Sequence, residues 1–267
     1  MLRLSGAALG YGPRTLWSGL DLDVAPGEFV AVLGANGSGK TSLMRAVLGL
    51  QPLTAGRIDV NGHPVRRGSD DIGYIPQQRR MDPLTPMRAC DYVGQGLSGH
   101  RWGIGLPSAT RRHKIAAALD AVGAAQYARA PIGTLSGGEQ QRIRVAQALV
   151  ADPALLLCDE PLLSLDLTSQ RIVTALVDRR RREHGTAVLF VTHEINPVLP
   201  YVDRVLYLAD GRFRIGTVDD VLNSAALSEL FDAPVEVVRV GGRILVAGVP
   251  DTPTEPHHEH HHEVAVG

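Results

Sequence analysis

The chain has 267 residues, 44% of them hydrophobic and 21% charged, with a formal net charge of −1. That balance describes a globular chain of one or two domains with a sizeable core, and it excludes a general pull toward nucleic acid or an anionic membrane. No apolar run approaches a bilayer span, and two cysteines, Cys90 and Cys158, are too few for a disulfide or zinc-finger framework. The start, Met1 to Ser5, runs straight into strand-like sequence, so no signal peptide is expected and the expected compartment is the cytoplasm.

Residues 1–33 alternate apolar segments with turn signals at Gly10-Tyr11-Gly12-Pro13 and Pro26-Gly27. They read as a small antiparallel layer leading into an α/β core. Tyr11 reads as a loop aromatic, either packed on the surface or offering a flat face to a nucleotide base. Glu28 to Leu33 then reads as a buried strand. It feeds Gly34-Ala35-Asn36-Gly37-Ser38-Gly39-Lys40-Thr41, and a helical run from Ser42 follows. Strand, glycine loop and helix are the context that G-x-x-x-x-G-K-[ST] requires of a phosphate-binding loop. Glycines let backbone N–H groups approach an anion at a helix N-terminus. Lys40 supplies a mobile charge for the β- and γ-phosphates, and Thr41 a hydroxyl for Mg²⁺. Of 27 basic residues only Lys40 and Lys114 are lysine; a chain that otherwise uses arginine puts a compact ammonium here.

Two further strands are expected at 57–60 and 72–75. Pro76 ends the second, leaving Gln77 at its mouth, as a plain polar loop residue or as part of a site at the sheet edge. Residues 79–133 change character. A short helix is expected over 88–96, a glycine-rich stretch follows to Pro107, and an amphipathic helix is expected over 108–130, together forming a helical insert separate from the sheet. Trp102 either faces a partner or caps the insert's own core.

Thr134 to Arg142 leads into a helix in which Ser136 is the expected N-cap and Glu139 its capping-box partner. It is a capped helix, to which Gly137 and Gly138 could add a phosphate-holding N-terminus. Ala154 to Cys158 is a buried strand that ends in Asp159 and Glu160. Strand neighbours point to opposite sides, so one carboxylate can hold Mg²⁺ while the other faces an attacking water. Asp166 precedes a helix expected from Ser169 to about Arg182, whose Arg179–Arg182 run reads as a solvated, dipole-complementing end. Ala187 to Val191 is the next buried strand and ends at His193, a candidate for the γ-phosphate. A hairpin over 202–217, short helices over 218–232 and a strand pair over 235–247 complete the folded part.

The end, 250–267, carries three prolines and then His257-His258-Glu259-His260-His261-His262. The interrupting Glu259 favours a native segment over an appended tag. Imidazoles with carboxylates suit Zn²⁺, and the segment is expected to be disordered without metal.

Together these residues resemble the ATP-binding subunit of an ABC transporter. The motifs fall in that family's order: the phosphate loop 34–41, Gln77, the signature Leu135-Ser136-Gly137-Gly138-Glu139-Gln140, the strand Leu155 to Pro161 with its two carboxylates, Asp166 and His193. The resemblance covers about residues 2–230. It implies a P-loop NTPase core with an antiparallel β subdomain and an inserted α-helical subdomain at roughly 78–152, the whole ATPase domain running over 1–249.

It further implies a head-to-tail homodimer with two ATP molecules enclosed at its interfaces. Gly34 to Thr41 and Ser42 of one copy would face Ser136, Gly137 and Gly138 of the other, with Asp166 close by. Tyr11 would stack on adenine. Thr41, Gln77 and Asp159 would hold Mg²⁺, Glu160 would be the general base, and His193 would contact the γ-phosphate. A membrane permease would be driven from the cytoplasmic face, its coupling helix received near Gln77 and residues 79–103. An extracytoplasmic metal-binding protein would deliver cargo.

Pro83 to Val93 and Gly99 to Trp102 resemble the zinc/manganese-type importer ATPases, although Val93-Gly94-Gln95-Gly96 stands where those more often have Met-Gly-Arg. The histidines 257, 258, 260, 261 and 262 would then serve a Zn²⁺ buffer or sensor. A siderophore- or haem-type importer is the alternative, and a soluble ABC ATPase acting on nucleic acid or ribosomes a more distant one.

Overall fold

A computed structural model describes residues 1–77, 81–97, 108–209 and 211–248. The elements in chain order are β1 (Leu2–Tyr11), β2 (Arg14–Val24), β3 (Phe29–Gly34), α1 (Lys40–Val47), β4 (Ala55–Val60), β5 (His63–Pro64), β6 (Ile72–Ile75), α2 (Ala89–Gln95), α3 (Ala109–Ala121), α4 (Gly137–Leu149), β7 (Leu155–Asp159), α5 (Leu167–His184), β8 (Ala187–Val191), β9 (Arg204–Ala209), β10 (Arg212–Gly216), α6 (Val218–Val221), α7 (Ser224–Phe231), β11 (Glu236–Val240) and β12 (Arg243–Ala247).

The apolar strands β3, β7 and β8 pair in parallel with β6 and β9, in the order β10-β9-β3-β8-β7-β6, with β10 antiparallel at the edge. Strands buried on both faces lose the polar alternation of half-exposed strands and become continuous apolar runs, as Ala187-Val188-Leu189-Phe190-Val191 illustrates. The side-chain period of two splits β3 between two cores. Phe29, Ala31 and Leu33 join one cluster with Phe190 and the helices α2–α5, while Val30 and Val32 join the other with α1 and the antiparallel sheet. That second sheet runs β2-β1-β4-β5. The two strands expected at 57–60 and 72–75 therefore serve different sheets.

Several expectations change. β1 extends through Tyr11, so this residue closes a strand instead of lying in a loop. α3 ends at Ala121, well short of 130, because Gly123 takes a left-handed φ of 63° and a single 3₁₀ turn, Ala125–Tyr127, replaces further helix. The helices of the insert share one apolar cluster with a face of the parallel sheet.

The arginine run at the end of α5 is solvated only in part: Arg179 and Arg182 are exposed, whereas Arg180 and Arg181 are engaged. The Arg181 side chain is 12% exposed and ion-pairs with Asp178 at 2.8 Å and Asp203 at 2.6 Å. It also donates to the Gly27 carbonyl at 3.1 Å and lies over the Phe29 ring. Arg180 donates to Thr186 and pairs with Asp152. Two of the four, Arg180 and Arg181, fasten α5 to the loops at the N-terminal ends of the parallel strands. Trp102 and the glycine-rich stretch around it, Asp210, and the histidines at 257–262 lie outside the described residues.

Candidate active site

β3 delivers the glycine loop. At Gly34 (φ 145°) a Cβ would run into the Leu208 carbonyl and lie 2.7 Å from Ser38 Oγ; at Gly39 (φ 97°) it would lie 2.8 Å from Trp17 Nε1. The loop is therefore pressed against β9 on one side and β2 on the other, and only glycine fits at these points. α1 then starts at Lys40 with no side-chain cap and no acidic residue in its first turn. Its N–H groups and dipole face the loop without a competing anion, which is the condition for binding one.

Lys40 is 5% exposed, and its Nζ donates to the Gly34 carbonyl at 2.6 Å and the Ala35 carbonyl at 2.8 Å. Burial lowers its pKa, against the pull of the Glu160 and Asp159 carboxylates. Ser38 Oγ and Trp17 Nε1 are buried with no hydrogen-bond partner among the described residues. An orphaned hydroxyl and an ammonium resting on carbonyls are a donor-rich cradle without an acceptor, which suits phosphate oxygens.

β7 and the turn after it deliver the carboxylates. Asp159 is 5% exposed, and burial pushes its pKa up. Tyr74, on neighbouring β6, donates its hydroxyl to Asp159 Oδ2 at 3.2 Å, and burial beside that carboxylate raises the phenol to about 12. Thr41, Gln77 and Asp159 line one open cleft of about 440 Å³ together with Arg45 and Tyr74. Hydroxyl, amide and carboxylate oxygens around one space are the donor chemistry of a hard divalent cation, and a buried carboxylate held by one phenol gains from such a counter-charge.

Glu160 follows Asp159 on the turn after β7. Its backbone sits at φ 50°, an uncommon conformation for a residue with a side chain. Its Oε2 accepts from Gln77 Nε2 at 3.0 Å, and its Oε1 meets His193 Nε2. The three side chains that the sequence singled out as catalytic thus converge from the ends of three parallel strands, β6, β7 and β8. Asp159 lines the cleft of Thr41 and Gln77, and Glu160 lines a neighbouring one with His193.

The signature residues form a second cluster. Ser136 Oγ accepts from the Glu139 N–H at 3.4 Å and Glu139 Oε2 accepts from the Ser136 N–H at 2.8 Å, completing the capping box of α4. The Tyr127 hydroxyl, with Ser136, holds the Glu139 carboxyl below the usual range. A Cβ on Gly138 would lie 2.5 Å from Ser169 Oγ. Ser169 in turn donates to Asp166, which caps α5 by accepting from the Thr168 N–H at 3.0 Å and the Ser169 N–H at 2.9 Å. Ser136, Gly137 and Gly138 line neither the cleft of Thr41 and Asp159 nor the smaller one beside Glu160 and His193.

Tyr11 is 51% exposed, and its hydroxyl is tied to Gln51 Oε1 at 2.8 Å and Ser42 Oγ at 3.3 Å. Sequence reasoning passed over Tyr74, Trp17 and Arg45. Tyr74 had a readable signal, a phenol three residues before Gln77 near the C-terminal mouth of an expected strand. Trp17 and Arg45 had none, because their positions depend on how β2 and α1 pack.

The sequence profile of the ABC transporter family matches residues 17–163. An aliphatic sulfonates import ATP-binding protein of Pseudomonas entomophila is 35% identical over 246 residues, covering 92% of this chain and 86% of its own. A zinc import ATP-binding protein of the same organism is 32% identical over 264 residues, covering 99% of this chain and 91% of its own. Among solved structures, the inward-facing conformation of a transporter described as of the metal-chelate type superposes with a TM-score of 0.78 at 28% identity, covering 92% of this chain and 95% of the other.

Proposed function

This chain belongs to the ABC transporter ATP-binding family, and from that premise we propose that it hydrolyses ATP to drive a membrane importer of a divalent metal, zinc or manganese. The carrying observation for the cargo is the reach of the match to the zinc import protein. That match takes in 99% of this chain, and so includes the histidines near its end. An aliphatic sulfonate is the second reading, favoured by the higher identity of the sulfonate import relative.

In the proposed reaction the free N–H groups of α1 and the Ser38 hydroxyl receive phosphate oxygens. Lys40 leaves its two carbonyl partners for the β- and γ-phosphates. Tyr11 offers its ring to the base. Thr41, Asp159 and Gln77 would hold Mg²⁺, which neutralises charge on the phosphates when bound. Tyr74 keeps Asp159 aimed and favours its charged form against the effect of burial. Glu160 accepts the proton of the attacking water, and Gln77 and His193 fix its carboxylate and contact the water and the γ-phosphate. The work is mostly positioning and charge placement.

Ser136, Gly137, Gly138 and Asp166 act on the nucleotide of a second copy, in a head-to-tail homodimer. Among the described residues no helix is long and apolar enough to cross a membrane. The proposed assembly therefore places a separate permease in the membrane, this chain on its cytoplasmic face and an extracytoplasmic binding protein beyond it. The terminal histidines would bind Zn²⁺ as a buffer or sensor.

The test compares cells carrying the wild-type chain with cells carrying Glu160→Gln, scored for zinc, manganese and iron content under metal limitation and for growth on an alkanesulfonate as sole sulfur source. A selective fall in zinc or manganese is expected. Loss of sulfonate-dependent growth with metals unchanged would assign the second reading, and a fall in iron alone would point to a chelate.

A further inference from the structure

Away from the nucleotide loop, a cleft of about 330 Å³ opens between α3 and α5, at the lower end of the roughly 300–1,000 Å³ span of small-molecule sites. Its walls are two helical faces. Lys114, Ala117, Ala118 and Ala121 repeat at helical spacing on α3, and Leu176, Arg179, Arg180 and Glu183 do so on α5. The alanines leave the space that larger side chains would fill. Val122, Leu149 and Val150 complete an apolar floor, and Arg179 spans the gap by donating to the Ala121 carbonyl.

The cations of the rim outnumber its two carboxylates, Asp152 and Glu183, and are unevenly committed. Arg180 is engaged by Asp152, and His184 lies 3.7 Å from the same carboxylate. Lys114 makes no hydrogen bond or ion pair with another described residue, and His113 stands beside it on the rim. Lys114 is also one of only two lysines in a chain that otherwise uses arginine. The other, Lys40, is the phosphate-loop lysine. Asp152 lines the same cleft, and Lys114 helps to hold its carboxyl below the usual range; beyond that attraction the ammonium is available, and above a concave apolar floor it is complementary to an anion with a short apolar body.

We propose that this cleft binds a small amphiphilic anion, a short aliphatic chain ending in a sulfonate or carboxylate, with the chain on the alanine floor and the head group on Lys114. The site lies along the C-terminal half of α5, whereas the signature cluster meets that helix at its start, and it does not depend on which cargo the transporter carries. Because its two walls belong to the helical insert and to the core, occupancy would also brace one against the other.

Calorimetric titration of the full chain with hexanesulfonate and hexanoate tests the proposal, with hexylammonium and methanesulfonate as controls. Both hexyl anions are expected to bind and hexylammonium is not. Methanesulfonate is expected to be at least about tenfold weaker, because it lacks the chain that the floor would bury. Lys114→Met should weaken the anions by about tenfold. Ala117→Leu, which fills the floor from an exposed position, should abolish binding while the ATPase rate stays at the wild-type value. No heat with either hexyl anion, equal binding of hexylammonium, or unchanged affinity in either variant would overturn it. Retained ATPase activity in the variants shows that they fold, and a failed titration leaves the transport reading untouched.

Discussion

Two acidic regions of this molecule obey opposite electrostatics. At the mouth of β7, Asp159 is buried and held above the usual carboxylate range by desolvation, with a single phenol as its hydrogen-bond donor. At the start of α5, Asp166 is exposed and held below that range by the N–H and hydroxyl of Ser169 and the N–H of Thr168. Glu139 at the start of α4 is held down in the same way. The first region stores unmet demand: a raised carboxylate, an orphaned serine hydroxyl and an ammonium resting on carbonyls. The second has satisfied its own helix ends. A region of unmet demand is built to receive ligand atoms, and a self-satisfied one to be presented as a rigid surface.

The largest expected effect removes the proposed base from the first region. Glu160→Gln should lower kcat by about 10²–10⁴-fold while ATP binding survives, measured by steady-state hydrolysis beside equilibrium nucleotide binding. Lost ATP binding would mean that the carboxylate holds the fold and not the reaction. Lys40→Ala should weaken ATP binding by about 10–100-fold, the range for hydrogen bonds to a charged group. Lys40→Arg should not restore it, since a planar fork cannot sit on the Gly34 and Ala35 carbonyls as an ammonium does.

Tyr74→Phe should cost about 3–10-fold in rate at limiting Mg²⁺. The Tyr74 bond favours ionised Asp159, so its removal raises that carboxyl further. The acid limb of the pH–rate profile should therefore move to higher pH, a shift that a purely structural tyrosine would not produce.

Thermal melting separates the two regions most directly. Asp159 is raised in the fold, so it contributes stability below the unfolded carboxylate pKa and loses it as pH climbs through its folded value. Asp159→Asn should therefore raise the melting temperature of the nucleotide-free chain at neutral pH. Asp166 and Glu139 are depressed, so their contribution is present at neutral pH and lost as pH falls through their folded values. Asp166→Ala should lower the melting temperature at neutral pH and lose its effect in acid. The smallest change, Ser136→Ala, removes one cap worth about 1 kcal/mol, a shift of about 2–4 °C. A larger stability loss would mean that the signature supports more than its own helix.

Much of this was legible from local chemistry. The phosphate loop could be read because strand, glycines and helix follow one another directly. The capping box could be read because both partners lie within four residues, and the pair Asp159-Glu160 because a buried strand leads straight into it. Arg180 and Arg181 of the α5 run were misread for the converse reason. Their partners Gly27, Asp152 and Asp203 are distant in sequence, so nothing local distinguished a fastening from a solvated end.

By itself the sequence determined the family and the order of most elements, and it named the candidate site side chains, since each is carried by residue types at short spacings that chain connectivity preserves. Tertiary structure alone decided that Gln77 and His193 meet on Glu160, that Tyr74 serves Asp159, that Trp17 closes against Gly39, and that Lys114 looks over an apolar cleft. Those contacts join the ends of different strands and helices, and the packing that aligns them is a property of the whole sheet and its two cores, not of any one segment.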